Sequence, residues 1–392
     1  MAKTKTKASK KARRKESSGA TLASVLTNIA KHEQSQQSAN IDALIAQALS
    51  LLQAESNPQQ ALKVITSALT KNPTNLRALE LAGEINIELE DIATAIRCFT
   101  TATELDPEGT DSGAEKFLWL AQICEEGGEV AIGWYERAVG VLRVKAAASS
   151  SDEEPREKLC SALCGMAELY MTDLCMQPDA EPRCETYITE ALLVSPSSPE
   201  ALSTLASFRI SQLKPDDARA ALTRSLEVWK DLGLGDERIP AYPFRMSFTR
   251  LLIECEMLEE TMDVLEGLQQ EDDQVVDLWY LGGWCLFLIG SKLKEQEKLK
   301  VPANGNTDDE VEDWRDTWAA AREWLWNCEK LYKAFGWDDE GIKEHASELL
   351  GNISAELGEA KPEDNKDNGD DEEGGDWEDS EGEDGDEEMK DS

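Results

Sequence analysis

Histidine is almost missing from this chain: its 392 residues include only His32 and His345. Two imidazoles so far apart in sequence offer little for the general acid–base and nucleophilic chemistry that His usually performs near neutral pH. The sequence also lacks a Walker-type phosphate loop, a GxGxxG turn, an HExxH and a GxSxG. Carboxylates abound, but on so acidic a chain paired carboxylates arise by chance. We therefore expect no enzyme, no catalytic residue and no cofactor. The nine cysteines form no CxxC pair, and Cys160 and Cys164, one helical turn apart, have no His beside them. Odd in number and placed at helical positions, they suit buried thiols in a reducing compartment, not a disulfide framework or a metal site. The longest apolar run, Leu278 to Gly290, is too short to cross a bilayer. No apolar signal segment opens the chain, so the expectation is a soluble intracellular protein with no membrane partner.

Positive charge is scarce too: 40 Lys and Arg face 79 Asp and Glu, for a formal net charge of -39. Residues 1–19 hold eight Lys/Arg and one Glu, whereas residues 359–392 hold eighteen acids and three Lys. About -31 therefore resides in the stretch between them, so the body is acidic independently of its tail. A field of that sign repels nucleic acid and attracts basic proteins. The expected partner is a basic protein client, with no direct nucleic-acid contact.

What the chain does have is a period. Ala61 and Ala95, Ile65 and Phe99, Ala68 and Ala102, and Pro73 and Pro107 are all offset by thirty-four residues. That step and the A-x3-F…P pattern are those of the tetratricopeptide repeat. A small Ala lets two antiparallel helices approach, and the large residue four positions on fills the gap between them. The Pro cannot continue a helix and forces the turn into the next repeat. The fold class expected is all-α: a right-handed tetratricopeptide-repeat solenoid of about seven helical hairpins with a C-terminal capping helix and disordered ends. Its segments are a basic disordered arm (1–19), the solenoid (20–358) and an acidic disordered tail (359–392).

Within the solenoid, Thr21 to Lys31 reads as a short amphipathic cap. Repeats follow at about 41–74 and 76–108, then a degenerate third ending in a polar loop at 146–157. The fourth carries Leu163-x2-Met166-Ala167-x2-Tyr170 and a turn lengthened around Pro178 and Pro182. The fifth spans about 199–232, and a weak sixth runs from Phe244 to Leu268. The seventh opens with Leu278-x2-Leu281-Gly282-x2-Cys285, passes an insertion at 291–313 read as an exposed loop, and resumes over Trp314 to Phe335. A last helix, Ile342 to Leu357, would cap the array. The Asn352-Ile353-Ser354 triplet is inert for glycosylation in a reducing compartment, and Ser380, among acids, is a candidate phosphorylation site.

The first helix of each hairpin lines the concave face of such repeats. Register places Glu80, Glu84, Ile87 and Glu88 there from the second repeat, and Trp119, Ile123 and Glu126 from the third. Glu168 and Met171 come from the fourth repeat and Trp279 from the seventh. Acids beside aromatics suit a ligand rich in Lys and Arg. Repeats that grip chaperone C-terminal carboxylates use Lys and Asn at these positions; here the first repeat offers Ala43, Ala46 and Ser50. That reading is excluded.

The Lys10–Lys15 stretch KKARRK, with Lys10, Lys11, Arg13, Arg14 and Lys15 as its charges, fits a nuclear-import signal. Together with the Ala61–Pro107 core, LWYLGGWC at 278–285 and GDWEDSEGEDGDEE at 375–388, it gives a layout that resembles fungal assembly chaperones dedicated to the fourth large-subunit ribosomal protein. The resemblance covers the whole chain. It implies a monomer forming a one-to-one complex with that client's extended basic loop, preventing its aggregation and escorting it from cytoplasm to the nuclear pre-ribosome. An acidic nuclear histone chaperone and a repeat scaffold within a larger complex are the alternatives.

Overall fold

The computed structural model describes residues 36–148, 152–233, 235–299 and 313–359. The basic arm with Lys10–Lys15, the helix expected over Thr21–Lys31, and the tail from residue 360 onward, Ser380 included, lie outside the described residues. Every regular element among the described residues is an α-helix. The hairpins are α1 (36–53) with α2 (Pro58–Lys71), α3 (Leu76–Glu88) with α4 (Ile92–Leu105), and α5 (Glu115–Gln122) with α6 (Gly128–Ala148). They continue as α7 (Glu154–Met171) with α8 (Ala180–Val194), and α9 (Pro199–Ser211) with α10 (Pro215–Trp229). Last come α11 (Tyr242–Glu254) with α12 (Leu258–Glu271), α13 (Val276–Leu299) with α14 (Trp314–Phe335), and the unpaired α15 (Glu340–Leu357). The chain divides at Val264/Leu265, within α12, into two compact units.

Local chemistry sets the helix ends. Asn57, Asn75 and Asp91 each accept the backbone N–H three residues on, capping α2, α3 and α4. Pro73 and Pro107 directly follow the C-caps Asn72 and Asp106, where no helix can continue. In the first unit the repeat partners Ala61, Ile65, Ala68, Ala95, Phe99 and Ala102 are completely buried. Gly83 lies so close to the Phe99 ring that a Cβ there would collide with it. In the second unit Gly282 meets Trp324 and Gly283 meets Leu325 in the same way, drawing α13 against α14. The Lys294 ammonium sits 4.6 Å over both Trp314 and Trp318 and 2.8 Å from Glu356, fastening α15 to α13. Six of the nine cysteines are buried and serve as small apolar residues.

Three readings need correction. The polar loop at 146–157 is mostly helix: α6 runs to Ala148 and α7 begins at Glu154, where Pro155 suits a first turn. Pro182 lies not in a turn but in the first turn of α8, where its missing N–H has no intrahelical role. The insertion at 291–313 begins as helix, because α13 continues through the Lys- and Glu-rich stretch to Leu299; residues 300–312 lie outside the described residues. The sixth repeat, weak in sequence, forms helices of ordinary length.

Between α4 and α5, residues 106–114 wrap a buried cation. The Lys116 side chain is fully buried, and its ammonium donates to Asp106 Oδ2 (3.0 Å), Ser112 Oγ (2.8 Å) and the Gly113 carbonyl (3.0 Å). Glu80 Oε1 lies 3.8 Å away and accepts from Ser112 Oγ at 2.6 Å. Asp106 accepts three backbone N–H groups, from Thr110, Asp111 and Ser112. Burial opposes its charge, but those amides and the Lys116 ammonium outweigh burial and hold its carboxyl well below the usual range. Gly109 (φ 67) and Gly113 (φ 101) supply the left-handed backbone this wrap requires. Asp106→Ala would strand the ammonium out of water, and we expect it to lower unfolding stability by about 3–5 kcal/mol. Urea denaturation checks this; a loss below about 1 kcal/mol would show the wrap dispensable.

Candidate functional site

The first helices of the hairpins in the first unit carry a row of carboxylates. Glu80 and Glu84 stand one turn apart on α3, Glu115 opens α5, Glu168 is on α7 and Glu200 lies in the first turn of α9. Cross-helix bonds hold the row in place. Lys158 of α7 reaches Glu115 of α5 and Glu154 of its own helix, both at 2.7 Å. Ser161 of α7 donates to Glu200 of α9 at 2.8 Å.

These carboxyls disturb one another. Burial pushes Glu84 up, and Glu115 adds to it against the pull of Lys158 and the Trp119 indole. Glu168 is raised by burial and by Glu200, and Glu200 by burial against its bond from Ser161. Glu80 is raised by burial despite Ser112 and Lys116. Glu115 alone in the row is lowered: burial acts upward, but Lys158 outweighs it. The Tyr135 phenol, facing Glu168 and Glu200, is pushed to about 12, first by burial and then by those two charges. Glu80 with Glu84, and Glu168 with Glu200, thus form two pairs of like charges, an arrangement that a cationic ligand relieves.

An apolar ledge runs beside α3 and α5. Ile87, Trp119 and Ile123, half-buried, pack together around Phe99, whose ring stacks on Trp119 with centroids 6.1 Å apart. Five residues expected from register, Glu80, Glu84, Ile87, Trp119 and Ile123, therefore do converge. Glu80 also serves the Lys116 wrap, so its role is partly internal. Glu88 ends α3 and Glu126 follows α5; both are exposed and stand outside the network. Met171 packs into the core around α7 and α8. Trp279 belongs to the second unit, where its indole donates to the Asp273 carbonyl at 2.7 Å and its ring meets Trp324 at 4.8 Å.

Sequence reasoning missed Glu115, Lys158 and Glu200. Glu200 follows Pro199 in a sequence that reads as a helix start, where an acid is normally a dipole partner; only the lateral approach of α7 shows its second role. Nor was a cleft of about 1180 Å³, lined by α7, α9 and α11, visible in the repeat pattern. Among the described residues no cluster of His, Cys, Asp and Glu could hold a metal ion, and no helix is long and apolar enough to cross a membrane.

No protein-family model matches the chain. It is 44% identical over 361 residues to a probable assembly chaperone of rpl4 from Emericella nidulans, covering 89% of this chain and 90% of that one. A second such protein, from Schizosaccharomyces pombe, is 40% identical over 294 residues, with 74% and 84% covered. Among solved structures, residues 1–338 of an assembly chaperone of RpL4 superpose with a TM-score of 0.61 at 39% identity, covering 66% of this chain and 99% of that one. With kinship extending over nine-tenths of a curated relative, the chain belongs to the family of assembly chaperones of RpL4.

Proposed function

We propose that this chain is itself an assembly chaperone whose client is ribosomal protein L4, and that the carboxylate row of the first unit holds a basic segment of that client. The carrying observation is the set Glu84, Glu168 and Glu200: Glu84 and Glu200 are half-buried with their pKa raised, Glu168 stands exposed beside Glu200, and none of the three has an ion-pair partner among the described residues. Lys and Arg of an extended segment supply the missing charge, while Ile87, Trp119 and Ile123 offer apolar contact to their aliphatic stems. No step of bond making or breaking is involved. The client is shielded while the complex persists and is passed on where ribosomal RNA offers denser charge. On the strength of KKARRK at Lys10–Lys15, we place the complex in both cytoplasm and nucleus, as a one-to-one pair.

Two outcomes follow from this arrangement. Replacing Glu84 and Glu168 together by Gln should weaken capture of recombinant RpL4 about tenfold or more, whereas the same change at exposed Glu88 and Glu126 should alter it less than about twofold. Titration calorimetry at fixed salt reads both, and equal losses in the two variants would move the site elsewhere.

The second outcome concerns pH. Carboxyls raised in the free protein take up protons above the usual carboxylate range, and a bound cation drives those protons off again. Affinity for RpL4 should therefore fall as pH drops from neutral toward that range, with proton release on binding seen in buffers of different ionisation enthalpy. The same protonation favours the folded state, because these groups bind protons more tightly there than when unfolded. Asp106, with its lowered pKa, keeps its stabilising contribution until pH falls below the ordinary aspartate value. Weakened binding in this window accordingly occurs without loss of fold, which a melting curve at each pH verifies.

A further inference from the structure

The cleft between α7, α9 and α11 takes in the Glu168 and Glu200 end of the row. Five carboxylates line it, Glu153, Glu157, Glu168, Glu200 and Glu237, against the guanidinium groups of Arg156 and Arg238. Arg238 is engaged, donating to the two oxygens of Asp236 at 3.0 and 2.7 Å; Arg156 lies 3.9 Å from Glu153, and its buried Nε has no hydrogen-bond partner, so the cleft offers one open donor beside its acids. Glu200 accepts only the Ser161 hydroxyl, and Glu157, Glu168 and Glu237 have no ion-pair partner among the described residues.

An independent observation points to a ligand. Ser203, one helical turn after Glu200 and also lining the cleft, is nine-tenths buried, yet its hydroxyl has no hydrogen-bond partner. Buried hydroxyls are almost always satisfied, and one left open on a cleft wall is completed by whatever binds there. Half-buried Phe244 lines the same cleft, with its ring stacked on Phe248 at 6.0 Å.

We propose that this cleft is an arginine anchor: it takes a guanidinium from the client's basic segment, Glu200 accepting two of its N–H groups, Ser203 Oγ a third, with Phe244 against its planar face. Lysine fits less well. Its ammonium feels the carboxylates as a point charge, but it has neither the fork that matches a carboxylate nor a plane to stack. The volume exceeds that of one side chain, so neighbouring residues of the segment enter beside the anchor. The proposal rests on the reading of the chain as a chaperone of a basic client and names the side chain that its site selects.

The test uses the full chain and two labelled peptides, one with Arg residues separated by Gly-Ser pairs and its Lys twin, followed by fluorescence anisotropy at fixed moderate salt. The Arg peptide should bind about fivefold or more tightly than the Lys twin. Glu200→Gln should lower Arg-peptide affinity about tenfold and erase the preference, and Ser203→Ala should narrow it. Glu84→Gln, outside the cleft, should weaken both peptides alike. Equal binding of the two peptides, binding of neither, or a preference that survives both cleft variants would overturn the anchor. Each of those results leaves the chaperone reading intact as long as the unmodified chain still captures RpL4; failure of that capture removes the reading itself.

Discussion

Lys116 buries its ammonium where Asp106 and Glu80 meet, and without that charge two carboxylates would be forced together at the joint between α3, α4 and α5. An ion taken out of water so completely stays charged only if its surroundings replace the lost hydration. Here the replacement is full: one carboxylate at 3.0 Å, a hydroxyl and a carbonyl, with a second carboxylate at 3.8 Å. The cation offsets Glu80, the one acid of the row that it reaches, together with Asp106. Lys158 acts differently: it lies nearer the surface, joins α5 to α7, pairs directly with Glu115 and Glu154 and reaches Glu84 only through its field. Cations thus hold the helices in register while Glu84, Glu168 and Glu200 are left without a direct ion pair among the described residues.

Such a surface depends on a core that tolerates it. The first helix of a hairpin must be apolar on the side facing its partner, and α3 meets this with Ala78, Ala82 and Ile85 fully or nearly fully buried beside Gly83. Where Gly83 meets Phe99, a ring fills the space between backbones that approach too closely for a Cβ. Glu80 and Glu84 then point along another side of the same helix. Helical rotation separates core from charge at Glu84, while at nearly buried Glu80 the Lys116 cation is needed as well.

This separation explains what could be read in advance. Small and large residues recurring every thirty-four positions mark the buried faces, because packing constrains residue type; Ala61, Phe99 and Ala102 are therefore legible without coordinates. Once the buried face is known, register also gives Glu84, Ile87, Trp119 and Ile123. Lys116 was not legible, since Lys on a helix normally reads as surface, and its burial depends on how residues 106–114 fold back. Glu200 and Ser203 escaped for a related reason: their environment comes from α7 and α11, elements distant in sequence whose lateral spacing no periodicity encodes. The helical stretch before Leu299 was misread because Lys and Glu suit a solvated helix as well as a loop.

A chaperone must also let go, and the physical form of the row bears on this. Contacts dominated by charge weaken steeply when a competing polyanion offers more phosphates than the protein offers carboxylates. An apolar groove of the same length would hold its client through burial, which RNA does not displace. The ledge of Ile87, Trp119 and Ile123 is short beside the run of carboxylates from Glu80 to Glu200. On the proposed reading, the small apolar share limits how firmly a client is retained, while the desolvated acids fix where its cations sit. Repulsion within the empty row is relieved when the client arrives and returns when it departs, so the acids favour capture without making release to RNA prohibitive.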